Sequence, residues 1–332
     1  MRTALLLAGW LMLLSSGAIA EPWARTDPAA AGWSASRLRT AEDAALALKP
    51  TGVVIVRDGR MVASLGEVSR NVGVASVRKS LLGALYGIAV EDGRIRLGST
   101  LSDLGIDDKG GLSDAERQAT VADLLKSRSG IYHRAAHETS QMAEKRPERG
   151  SRAPGTHWYY NNWDFNALGT IYRQATGEDI FAAFDRRIAR PLGMEDFSPR
   201  NGRYRLNPAS IHPAYPFMMS ARDLARFGQL YLDRGLWQGR QVVPAGWVEA
   251  STTAYSATER GGFGYGYLWW TLPKEEWGAG AALASGYGGQ LLAVVPSKRL
   301  VVAQVVDRKD NPKGIRTRDF IAVLRLIAAA AP

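Results

Sequence analysis

The chain has 332 residues, 46% of them hydrophobic, enough to bury the core of one large domain or two modest ones. It has no cysteine, which excludes disulfides, thiol catalysis and thiolate metal sites and leaves stability to the core. The formal charge is +10, but the basic residues are scattered and no basic–aromatic motif accompanies them, so no nucleic-acid partner is expected.

Arg2, the apolar run 4–14 and Ala18-Ile19-Ala20 have the form of an export leader cut after Ala20, with a run too short to span a bilayer. A periplasmic or secreted chain without a transmembrane span is expected. Residues 36–48 read as a helix with Leu38, Ala41, Ala45 and Leu48 on one face, broken by Pro50-Thr51-Gly52. A strand at 53–56, a turn at 57–60 and a partner strand at 61–65 follow. The apolar, proline-free run 80–90 reads as a buried helix that stops at Gly93. Helical segments at 121–126, 164–175 and 180–189 are separated by polar loops, of which 145–152 is the most basic and reads as solvated, the alternative being a rim that attracts an anionic substrate or envelope polymer. After a helix at 223–232, strands are expected at 264–270, 291–295 and 300–306, then a closing helix at 320–329. The pattern predicts an α+β protein: a sheet domain from residues 21–97 and 219–332, with a helical domain inserted at 98–218.

Three stretches carry candidate chemistry. Ser76-Val77-Arg78-Lys79 heads the apolar helix, so Ser76 and Lys79 share one face a turn apart. A serine hydroxyl needs a base, and a lysine can be one only when burial lowers its pKa. Gly155 to Trp163 is aromatic and polar. Tyr160 there is either a proton relay beside the Ser–Lys pair or a packed ring, and Asn162 is a candidate helix cap. In Ala284-Ser285-Gly286-Tyr287-Gly288-Gly289-Gln290 the glycines allow close backbone approach, and the N–H of Gln290 is a candidate oxyanion donor beside that of Ser76. His133 and His137 have metal-ligand spacing but no third ligand, so no metal and no cofactor are expected.

Together these stretches resemble the serine β-lactamase and penicillin-binding-protein superfamily, in its class C β-lactamase-related branch. That branch includes class C enzymes, D-alanyl-D-alanine carboxypeptidases, family VIII esterases and aminohexanoate-oligomer hydrolases. Ser76-Val77-Arg78-Lys79 matches its Ser-x-x-Lys, and Tyr160-Asn161-Asn162 its Tyr-x-Asn. Tyr159-x-Asn161 also fits the bare pattern, but Phe165, Leu168 and Gly169 fall on family positions only with Tyr160. Tyr287-Gly288-Gly289 stands where relatives have Lys-Thr-Gly or His-x-Gly, without the cation. The similarity spans about residues 35–330. It implies an antiparallel sheet flanked by helices with an all-helical insert, and an acyl-enzyme mechanism. Ser76 is the implied nucleophile, Lys79 with Tyr160 the base, and Asn162 the group orienting Lys79 or a substrate amide. The missing cation implies weaker recognition of the carboxylate that β-lactams and D-Ala-D-Ala peptides carry, and so an ester or amide substrate ahead of a β-lactam or peptide, with Trp158, Trp163, Trp269 and Trp270 as candidate walls of an acyl pocket. The alternative is a non-catalytic envelope protein that binds peptidoglycan or a partner in the same cleft.

Overall fold

The computed structural model describes residues 23–332, so the expected leader at 1–20 lies outside the described residues. The valine-rich segment forms strand β1, Gly52–Arg57, and a turn with Asp58 and Gly59 at positive φ sends the chain back as β2, Arg60–Gly66. The rest of the main sheet comes from the C-terminal third. Short strands β3 (Ser256–Ala257), β4 (Gly264–Tyr265) and β5 (Trp270–Thr271) precede longer ones: β6 (Ala282–Gly286), β7 (Gln290–Val295) and β8 (Leu300–Val305). The order is β2-β1-β8-β7-β6-β5-β4-β3, antiparallel throughout. Gly52 pairs with Val305 and Arg57 with Leu300, so the first hairpin is zipped to the last strand. Strands β7 and β8 are buried at every residue, as apolar runs without alternation require. The single strand expected at 264–270 is two, because Leu268 takes φ +62° in the turn between them.

Helix α1, Ala35–Ala47, packs on the closing helix α5, Thr317–Ala330. Helix α2, Val77–Glu91, is buried on every side from Val77 to Ala89, as a run apolar all round must be, and Gly93 at φ +69° follows its end. Helix α4, Ala221–Leu232, lies on β1, β7 and β8. Between α2 and α4 the insert holds helix α3, Asn162–Thr176, with shorter helices at Val121–Leu125, Ser140–Lys145 and Ile180–Phe184. It is not all-helical. Arg205–Asn207 pairs with Ser210–Ala214 across a turn in which Asn207 accepts from the Ala209 N–H. Ser210, His212 and Ala214 are buried while Ile211 is exposed, a two-residue period that only a strand satisfies. Met218–Met219 then pairs with Val72–Gly73, tying the end of the insert to the segment before Ser76. Among the described residues no helix is long and apolar enough to cross a membrane.

Candidate active site

Ser76 stands immediately before α2 without a capping bond from its side chain, and is preceded by Ala75 at φ +46°, a left-handed geometry unusual for a residue with a side chain. The bend leaves Ser76 partly exposed while Lys79, one turn on, is 2% exposed. The Lys79 amine lies 2.8 Å from Ser76 Oγ and 2.9 Å from the Tyr160 hydroxyl, joining the two segments. Aromatic faces surround it: Nζ is 4.5 Å from the Tyr160 ring centre and 4.6 Å from that of Phe165. Burial drives the Lys79 pKa well below its usual value, and the cations Arg78 and Arg260 push it further the same way. Burial raises Tyr160, partly offset by its hydrogen bond with Ser76 and by Arg260 and Arg78. Burial thus favours the neutral amine of Lys79 and the protonated phenol of Tyr160 beside the Ser76 hydroxyl.

Arg78, between the two motif residues, is also 2% exposed and, among the described residues, has no carboxylate partner. Its guanidinium donates to Asn166 Oδ1 at 2.9 Å and lies over the Tyr215 ring at 4.2 Å. It is a fixed positive charge beside Lys79, a role the sequence reading missed although the residue stands inside the motif.

Tyr160 is positioned by a polar lattice at the start of α3. The Asn161 side chain caps the helix at the Trp163 N–H and donates to the Ile131 carbonyl and to Asp164 Oδ1. Ser127 Oγ donates to the Tyr159 carbonyl and accepts from the Asn161 N–H, and Ser129 Oγ donates to Asp164. The Asp164 carboxyl is fully buried and its pKa well raised, burial outweighing these bonds. The Tyr159 hydroxyl is held away by the Met142 carbonyl at 2.6 Å, and burial pushes it up to about 12. Tyr160, not Tyr159, therefore meets Lys79.

Three expectations are corrected. First, Asn161 caps α3, while Asn162 donates to the His137 carbonyl at 2.6 Å and makes no bond to Lys79. Its Oδ1 is buried and has no partner among the described residues. Second, the glycine against the nucleophile is Gly286, the last residue of β6. A Cβ there would sit 2.5 Å from the Val74 carbonyl oxygen and 3.1 Å from the Ser76 nitrogen. Gly288 and Gly289 face Arg308 and the Val306–Ile315 side instead, the Tyr287 side chain is exposed, and Gln290, the expected N–H donor, is the ladder partner of Gly286 across the β6–β7 hairpin, its side chain engaged with Val306. Periodicity could not separate three glycines within four residues; only the end of β6 does. Third, the four tryptophans divide. Trp270 stacks on Tyr160 at 5.3 Å and Trp158 packs against Trp270, whereas Trp163 bonds Asp108 and Trp269 packs on Phe227 and Tyr231 in the core.

His133 and His137 lie in an irregular segment rather than on one helix face, and among the described residues no cluster suits a metal ion. A cavity of about 530 Å³ opens beside that segment, lined by Arg134, His137, Glu138, Ser140, Arg146 and Asn207. Burial lowers the His137 pKa, and the nearby cations Arg78, Lys79 and Arg205 push it the same way; none of Ser76, Lys79 and Tyr160 lines this cavity.

The Beta-lactamase family model matches residues 38–326. The chain belongs to the beta-lactamase family. The beta-lactamase fold recurs in a "putative 6-aminohexanoate-dimer hydrolase" from Bacillus anthracis, at 22% identity, 86% coverage of this chain, 81% of that one and a TM-score of 0.67. A class C beta-lactamase mutant matches at 16% identity, covering 89% of this chain and 97% of its own, with a TM-score of 0.65. An uncharacterized protein of Alkalihalophilus pseudofirmus is 21% identical over 266 residues, 73% of this chain and 75% of that protein. The beta-lactamase match begins and ends within α1 and α5, so it takes in both ends of the sheet together with the insert.

Proposed function

We propose that this beta-lactamase-family chain hydrolyses an ester or amide through an acyl-enzyme on Ser76. One observation carries the reading: a buried, desolvated Lys79 amine bridges the Ser76 and Tyr160 hydroxyls. Neutral Lys79 takes the proton as Ser76 Oγ attacks the carbonyl carbon. The developing oxyanion is held by the N–H groups of Ser76 and Tyr287. Gly286 turns its carbonyl toward Gly289. Alternation along the strand then turns the next N–H the other way, toward Ser76. Neither N–H has a hydrogen-bond acceptor among the described residues. As the tetrahedral intermediate collapses, the leaving group receives its proton from the Lys79–Tyr160 pair, and a water activated by the same pair releases the acid. Ester or amide chemistry is further supported by the name of the Bacillus anthracis neighbour, a "putative 6-aminohexanoate-dimer hydrolase". The leader-like residues 1–20 support action outside the cytoplasm, which N-terminal sequencing of the exported chain tests.

Ser76→Ala tests the reading. The variant is expected to lose turnover of p-nitrophenyl butyrate by several orders of magnitude and to lose labelling by a fluorophosphonate probe. Undiminished turnover refutes the assignment. A wild-type chain that no acylating probe labels would favour a binding protein on the same fold.

A further inference from the structure

Arg260 sits in a loop closed on itself: the Thr258 N–H donates to the Phe263 carbonyl, and the Phe263 N–H to the Arg260 carbonyl. Its neighbour Glu259 is turned away to Lys145 at 3.0 Å. Arg260 is exposed and, among the described residues, pairs with no carboxylate. Its guanidinium lies over the Trp270 ring, 4.7 Å from the centre, and Trp270 stacks in turn on Tyr160. A guanidinium resting over an aromatic face makes that contact without using its N–H donors, which stay available to a planar anion. Two ring contacts therefore separate an unpaired cation from the Tyr160 hydroxyl.

We propose that Arg260 is an anion subsite of the active site, so that the preferred ester or amide carries a free carboxylate several bonds from the scissile carbonyl. The proposal rests on the acyl-enzyme reading above and names its substrate class. It reverses the expectation drawn from the missing motif cation: that cation is absent from β6, and the 258–263 loop supplies one from another direction. The electrostatic pull of Arg260 on both Lys79 and Tyr160 agrees with this proximity. Arg308 is the competing cation, over the Tyr287 ring at 4.8 Å, but its guanidinium is committed to the Pro312 carbonyl.

The test compares two esters of equal chain length, mono-p-nitrophenyl adipate and p-nitrophenyl hexanoate. Wild type should favour the adipate ester in kcat/KM, less so as salt rises. Arg260→Gln should lower the adipate-to-hexanoate ratio by roughly 10- to 100-fold, mainly through KM, the range expected for one charge-assisted contact. Arg260→Lys should fall between, and Arg308→Gln should leave the ratio unchanged. An unchanged ratio in Arg260→Gln, or a fall in Arg308→Gln instead, overturns the proposal. Calorimetric titration of adipate into Ser76→Ala, with and without Arg260→Gln, reads the subsite without turnover. If wild type hydrolyses neither ester, the acyl-enzyme reading fails, and the subsite still stands or falls on whether adipate affinity drops with Arg260→Gln.

Discussion

Gly286→Ala puts the described site geometry under direct strain. The added methyl carbon would meet the Val74 carbonyl oxygen at 2.5 Å, Gln290 Cβ at 2.9 Å and the Ser76 nitrogen at 3.1 Å. Ordinary contact begins at 3.4 Å, so β6 and the Val74–Ser76 turn must part by about 0.9 Å. Overpacking of this kind costs about 1–3 kcal/mol, which lowers the melting temperature of a chain this size by a few degrees. The catalytic loss should be larger in proportion. Moving the Ser76 and Tyr287 N–H groups apart by close to an ångström should reduce kcat/KM by roughly 100-fold. The measurement is kcat/KM on p-nitrophenyl butyrate beside thermal unfolding, with Gly288→Ala for comparison. Gly288 has φ +85° and faces Arg308, so alanine there should lower stability while sparing kcat in the folded fraction. A Gly286→Ala enzyme within threefold of wild type, or a Gly288→Ala enzyme that loses as much kcat at equal stability, would refute the placement of Gly286 at the oxyanion site.

Lys79→Met should abolish turnover and leave the fold no less stable at pH 7. Folded, the amine is held well below 10.5; unfolded, it binds a proton up to that value, so between the two folding expels a proton and Lys79 subtracts stability. That deficit is complete below the folded pKa and vanishes above pH 10.5, so the advantage of methionine in urea unfolding should be present at pH 7 and gone above pH 10.5. A variant less stable than wild type at pH 7 would contradict the burial argument. The same depression predicts that kcat/KM of wild type rises with pH as Lys79 deprotonates, in a range well below 10.5, which a pH–rate profile checks. Tyr160→Phe should reduce kcat by roughly 100-fold or more, since it removes the hydroxyl at 2.9 Å from the base. Tyr159→Phe should cost about 1 kcal/mol of stability through the lost bond to Met142 and leave kcat unchanged, a contrast that steady-state kinetics with denaturant titration resolves.

Local chemistry alone made several features legible. Spacing of three within an apolar helix puts Ser76 and Lys79 on one face whatever surrounds them, and an all-round apolar run has to be buried. The hairpin at 52–66, the paired strands at 290–305 and the helices around them follow from side-chain period and turn residues. Other features depend on contacts between distant segments. Tyr159 and Tyr160 are equivalent to a pattern, and the Met142 carbonyl separates them. Asn161 and Asn162 are adjacent and chemically identical, and the Ile131 and His137 carbonyls divide their roles. Which of three glycines touches the nucleophile depends on where β6 ends against the Val74–Ser76 turn, and the cation on Trp270 arrives from a loop 182 positions beyond Arg78. Short-range order is set by steric and solvation preferences carried in each residue, whereas a site assembled from several segments exists only once long-range packing fixes their relative positions.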